Sequence, residues 1–134
     1  MSRKIFVNLP VKDLDKSVDF FTQLGFQFNA QFTDKSATCM IISEEAYVML
    51  LVGGRFQDFT KKPIADARSQ TEAIIALSAD SRAEVDEIVN KALAAGGQPS
   101  SDPQDHGFMY GWSFQDLDGH LWEILWMDPN AAEG

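Results

Sequence analysis

The chain has 134 residues, of which 45% are hydrophobic and 23% charged, a balance typical of folded globular domains and unlike that of disordered segments. Its length suits one ordinary core, or two half-domains sharing one, and excludes two domains of full size. A net charge of −9 with a sequence pI near 4.5 repels nucleic acid and anionic membrane surfaces, which leaves a neutral or cationic small molecule as the better-matched partner.

The opening residues Met1 to Asn8 turn polar before any apolar run long enough for a signal peptide. No stretch approaches the about 18 apolar residues of a membrane span, so a cytoplasmic location is expected. Cys39 stands alone in an apolar run, which reads as a buried thiol and offers neither a disulfide nor a thiolate metal site.

Lys4 to Leu9 reads as an opening strand, with Pro10 predicted to end it because proline cannot donate to a ladder. Asp13 can cap a helix whose apolar positions Leu14, Val18, Phe21 and Leu24 recur at helical spacing, and Gly25 is placed to close it. The period then changes to two: Phe26, Phe28, Ala30 and Phe32 alternate with polar residues, as in a strand wet on one face. Ala37 to Ile42 and Tyr47 to Val52 are two more strands around the short polar loop Ser43-Glu44-Glu45. The first half reads βαβββ.

Gly53 to Thr71 is irregular and carries the cations Arg55, Lys61, Lys62 and Arg68. It reads either as a surface linker or as a lid or dimer-contact segment bringing Phe56 and Phe59 over a cleft. Glu72 to Ala79 is a new strand, and Ser81 with Glu84 forms a capping box opening a second helix. Val85, Ile88, Val89, Ala92 and Leu93 make its stripe and Gly96-Gly97 its stop. A short extended piece near Gln98, a strand Phe108 to Phe114, a turn Asp116 to Gly119 and a strand His120 to Met127 follow. The second half is again βαβββ, and Asp13-x-x-x-x-Val18-Asp19 repeats at the same offset as Asp80-x-x-x-x-Val85-Asp86. The predicted organisation is a first module over 1–54, a linker or lid over 55–71 and a second module over 72–134, together one α+β domain.

Leu9-Pro10-Val11-Lys12-Asp13-Leu14-Asp15-Lys16-Ser17-Val18-Asp19-Phe20-Phe21 with Leu24-Gly25-Phe26, and Asp116-Leu117-Asp118-Gly119-His120-Leu121-Trp122-Glu123, resemble the opening and closing segments of the vicinal oxygen chelate superfamily. This is the group of glyoxalases, bleomycin resistance proteins and extradiol dioxygenases. The resemblance implies two curved sheets walling a U-shaped cleft, often completed by a second subunit, and hence a homodimer. It also implies metal-ligand positions on the first and last strands of each module. They fall on Phe6, Met49, Ile74 and Glu123, and only Glu123 carries a donor suited to a hard dication. A shifted set of Asn8, His106 and Glu123 is the one rescue.

On the last strand Glu123 shares a face with Leu121 and Leu125 by the two-residue period, while Trp122, Ile124 and Trp126 share the other. A carboxyl group in apolar company can act as general acid or base, or anchor a ligand by hydrogen bonds; it can equally be a glutamate satisfied by a nearby group. Phe108, Tyr110, Trp112 and Phe114 form an aromatic row that is either core or a wall stacking on a planar ligand. Because their strand abuts the one bearing Glu123, they are expected to line the same cavity. His106 is a solvated loop residue or a proton carrier, and His120, in the tight turn, is given a local role.

Three functions follow. The first is capture of a small organic molecule by Phe6, Asn8, Met49, Ile74, Phe108, Tyr110, Trp112 and Glu123 without a metal or other cofactor. The second is a divalent-metal lyase, isomerase or dioxygenase of the glyoxalase type. The third is a metal-free enzyme using Glu123 as acid or base, with Tyr110 or His106 steadying an oxyanion.

Overall fold

The computed structural model describes residues 3–130. They form two compact units, divided between Ala65 and Asp66. The first contains β1 (Ile5–Val11), α1 (Leu14–Gln23), β2 (Gln27–Asn29), β3 (Ala37–Ile41), β4 (Ala46–Val52) and a short α2 (Gly53–Gln57). Its 4-stranded sheet runs β1-β4-β3-β2, with β1 parallel to β4 and the other pairs antiparallel. The second contains β5 (Ile74–Ser78), α3 (Arg82–Ala94), β6 (Gln98–Pro99), β7 (Gln104–Asp105), β8 (Met109–Gln115) and β9 (Leu121–Met127). Its 5-stranded sheet runs β5-β9-β8-β6, with β7 also on β8 and β5 parallel to β9. Since β6 and β7 pair along one side of β8, each unit is a βαβββ module in a mixed α+β fold, as the sequence predicts.

The helices begin and end where side-chain chemistry dictates. Asp13 accepts from Lys16 N at 3.1 Å to cap α1, and Ser81 Oγ accepts from Glu84 N at 3.0 Å to cap α3. Glu84 reaches back to Asp80 N rather than to the cap residue's own N–H. Gly25 and Gly96 take φ of 104° and 109° after the two helices, a region open to glycine.

Two expectations change. β1 continues through Pro10, which pairs in register with Leu51, to Val11. An edge strand has positions that need no donor on its open side, so proline fits there. The alternation from Phe26 to Phe32 yields only a three-residue strand; the chain then turns through a 3₁₀ segment, Ala30–Phe32, because Asn29 Oδ1 accepts from Gln31 N at 3.0 Å.

In the first unit the buried sheet face carries Leu9, Val11, Met40, Val48 and Leu50, covered with Phe20, Phe21 and Leu24 of the α1 region. The helix buries Ser17 and Phe20 in addition to Leu14, Phe21 and Leu24, while Val18 is half-buried. In the second unit Val85, Val89 and Ala92 of α3 pack on the face of β8 and β9 that carries Phe114, Trp122 and Ile124. Each such large side chain contributes on the order of 1.5–3 kcal/mol by leaving water. Cys39 is buried, and burial pushes its thiol up.

Candidate functional site

Each sheet has a second, more open face, and these faces carry the candidate residues. In the second unit Glu123 is half-buried on β9, in register with Ala76 of β5 on one side and Ser113 of β8 on the other. Ser113 Oγ accepts from Ser101 N at 3.1 Å and shares a hydrogen bond with Ser101 Oγ at 2.8 Å. Ser101, Gln104, Met109, Gly111, Trp112, Ser113, Glu123 and Leu125 border a small hollow of about 70 Å³. Ile74 lies on the same face, in register with Leu121, and is 58% exposed. The serines were not singled out from the sequence; Gly111 and Ser113, at alternate positions of β8, are both buried on that face, where small side chains let Leu125 of β9 lie close. A Cβ on Gly111 would lie 2.6 Å from Leu125 Cδ2.

The aromatic row does not share a sheet face with Glu123, although Trp112 borders the same hollow. The β8–β9 register pairs Tyr110 with Trp126, Trp112 with Ile124 and Phe114 with Trp122, whereas Glu123 pairs with Ser113. Because successive side chains alternate, Tyr110, Trp112 and Phe114 project from the opposite face, on which α3 packs. Phe114 and Trp122 stack there with centroids 6.4 Å apart. Tyr110 donates its hydroxyl to Asp86 Oδ1 at 2.5 Å, and that bond together with burial pushes its phenol up to about 12. The Arg82 guanidinium lies 5.4 Å from the Tyr110 ring and 5.0 Å from that of Trp126, while also binding Asp105 at 2.6 Å. Tyr110 is therefore held by the helix side and stands away from any oxyanion near Glu123. Phe108 precedes β8 and is 52% exposed. His106 is an exposed loop residue whose backbone N–H donates to Met109 O at 2.8 Å.

His120 is nearly inaccessible, with Nδ1 3.1 Å from Glu72 Oε1. Beside it Asp116 accepts from the backbone N–H groups of Asp118 and His120 and from Trp122 Nε1; burial pushes its carboxyl above the usual range, against the pull of these donors and His120. These residues fasten the turn into β9, the local role given to His120.

In the first unit Phe6 and Tyr47 are register partners on the open face, stacked with centroids 5.0 Å apart, and Phe6 is 52% exposed. Asn8 and Met49 are the next pair on that face. They border a hollow of about 310 Å³ together with Phe32, Asp34, Arg55 and Phe59. Arg55 belongs to α2 and Phe59 to the turn after it, so part of the irregular segment does face a hollow, while Phe56 is half-buried and outside its lining. Phe32 and Arg55 were not predicted as site residues; both depend on the 3₁₀ turn and on α2, for which the sequence carries no strong signal.

No group of three His, Cys, Asp or Glu side chains comes together to hold a metal ion among the described residues. Nor, among these residues, is any helix long and apolar enough to cross a membrane.

The model of the glyoxalase/bleomycin resistance protein/dioxygenase superfamily matches residues 5–124. Among solved structures, a hypothetical protein from S. aureus is 33% identical over 93% of this chain and 94% of its own, with a TM-score of 0.78. A glyoxalase-related enzyme from Fulvimarina pelagi is 19% identical over 94% and 88%, with a TM-score of 0.79. The fosfomycin resistance protein FosX from Listeria monocytogenes, complexed with Mn(II) and sulfate, is 21% identical over 92% and 89%, with a TM-score of 0.67. No curated protein matches the chain.

Proposed function

Because the chain belongs to the glyoxalase/bleomycin resistance protein/dioxygenase superfamily, we propose that it captures a small organic molecule on an open sheet face without the divalent ion used by relatives such as FosX. Catalytic dication sites need several nitrogen, oxygen or sulfur donors from the protein, usually three. Hydrocarbon or thioether side chains stand at Phe6, Met49 and Ile74, where the family resemblance places ligands, and this is the observation that carries the reading. Glu123 is the remaining donor, and its register neighbours Ala76 and Ser113 do not complete a set. The residues present do not fit the ion, so no chemical step is assigned to it.

Glu123, with Ser113 and Ser101 on the same face, supplies polar groups able to orient a ligand, and the half-buried Leu121 and Leu125 supply apolar surface. The proposal includes a cytoplasmic homodimer, in line with the family resemblance, and light scattering at twice the chain mass checks the second half of that statement.

The test has two arms. Elemental analysis of protein dialysed against Mn(II), Ni(II) and Zn(II) should find metal far below one ion per chain; near-stoichiometric retention, abolished in Glu123→Gln, would overturn the reading. A thermal-shift screen of small organic molecules should find ligands that raise the melting temperature through binding to the native state. Turnover of a hit that disappears in Glu123→Gln would replace plain capture with metal-free acid or base catalysis.

A further inference from the structure

The hollow of the first unit has its own chemistry, and from it we infer that this face takes a flat, unsaturated molecule carrying a single carboxylate. The inference deepens the small-molecule reading and rests on it. At about 310 Å³ the hollow reaches the lower range of small-ligand sites, about 300–1,000 Å³. Two phenyl groups border it from separate segments, Phe32 at 61% exposure and Phe59 at 68%. Rings left this wet are the groups that gain most when a planar apolar body covers them. Met49 and Leu51 add apolar lining from β4, and Asn8 and Gln31 add amides able to donate and accept.

Charge selects within that class. Arg55 is the cation of the lining, and its guanidinium carbon lies 5.1 Å from the Phe59 ring centroid, so charge and aromatic surface are presented together. Its ion pair with Asp58 is a single 3.3 Å contact between side chains 44% and 63% exposed. Pairs of this kind contribute little, whereas a ligand carboxylate can engage the guanidinium through two parallel bonds. Asp34 is the opposing charge. Its Oδ1 accepts from Ser36 N, Ser36 Oγ and Ala37 N at 2.7, 2.8 and 3.0 Å, which together with Arg55 holds its carboxyl below the usual range. It therefore stays ionised, shapes the loop before β3 and disfavours a second negative charge on the ligand.

The test uses the full chain and three probes of one shape, 2-naphthoate, 2-naphthamide and 2-naphthamidinium, titrated at low ionic strength by ¹H–¹⁵N spectra. Naphthoate should bind most tightly and move the amides of Asn8, Phe32, Arg55 and Phe59. Arg55→Met should weaken naphthoate by about tenfold, the loss expected for one charge-assisted pair, and leave naphthamide nearly unchanged. Phe59→Ala should weaken both. Preference for the amidinium, equal losses of naphthoate and naphthamide in Arg55→Met, or no naphthoate binding would each overturn the carboxylate assignment. Small-molecule capture survives any of these if the wider screen finds a ligand whose shifts centre on Glu123, and it fails separately through the metal analysis.

Discussion

Asp116 accepts the indole N–H of Trp122 on Oδ2 at 2.9 Å, and the two residues are 4% and 0% exposed. The other carboxylate oxygen binds the backbone N–H groups of Asp118 and His120, so one side chain ties the turn to the core of the second unit. Asp116→Ala removes the acceptor that these three N–H groups share and should cost about 2–4 kcal/mol in urea unfolding. Trp122→Phe removes only one donor but leaves a cavity, and the double variant should show a coupling of about 1 kcal/mol. Additive losses would mean that the bond contributes nothing of its own.

Glycine substitutions should act with opposite signs in the two units. Gly119 sits at φ 89°, and a Cβ there would meet backbone atoms of Arg68 at 2.9 Å. Gly119→Ala should destabilise by about 1–3 kcal/mol. Gly54 lies in α2 with open space around its Cβ position, so Gly54→Ala should stabilise by up to about 1 kcal/mol. Thermal unfolding of both variants measures the contrast.

Acid should weaken the Arg82–Asp105 clamp. The Arg82 bond, then the Gly107 N–H, hold the Asp105 carboxyl down to about 2. The native chain thus binds this proton less readily than the unfolded chain, whose carboxyl titrates near ~3.9. The contribution is complete above that value and is lost as the pH falls toward 2. Urea midpoints of wild type and Asp105→Asn should differ at pH 6, and the gap should narrow steadily as the pH falls from about 4 to about 2.5; a constant gap would refute the assignment.

Tyr110→Phe separates the two faces of the second sheet. Loss of the bond to Asp86 should reduce stability by about 1 kcal/mol. The melting-temperature increments produced by ligands should remain unchanged, because Tyr110 projects from the face opposite Glu123. A ligand response reduced by this substitution as strongly as by Glu123→Gln would bring the phenol back into the site.

The elements themselves were legible wherever local chemistry decides them: the Asp13 and Ser81 caps, the glycine stops and the repeated strand order. Face assignment along β8 was not, although the row of aromatics is plain in the sequence. In an antiparallel pair the register depends on how many residues the turn consumes, and a shift of one reverses which side chains share a face. Here the turn pairs Gln115 with Leu121, which sends Tyr110, Trp112 and Phe114 to the helix side. The participation of Arg55 and Phe32 was hidden for a different reason, since it follows from a five-residue helix without a side-chain cap at its start and from a three-residue 3₁₀ turn, elements too short to leave a periodic pattern. Pro10 shows the converse: a strong breaker is harmless once the strand is known to be an edge.

In each unit the first strand to be made pairs, among the described residues, with the last long strand alone, β1 with β4 and β5 with β9. During synthesis on the ribosome, Ile5–Val11 therefore has no ladder partner until Ala46–Val52 has emerged, and Ile74–Ser78 waits for Leu121–Met127. The antiparallel strands can pair in the order they are made, but each sheet is completed only by this late, long-range parallel pairing. Until then an apolar segment lies unprotected, and that interval is when a nascent chain of this design is most exposed to aggregation.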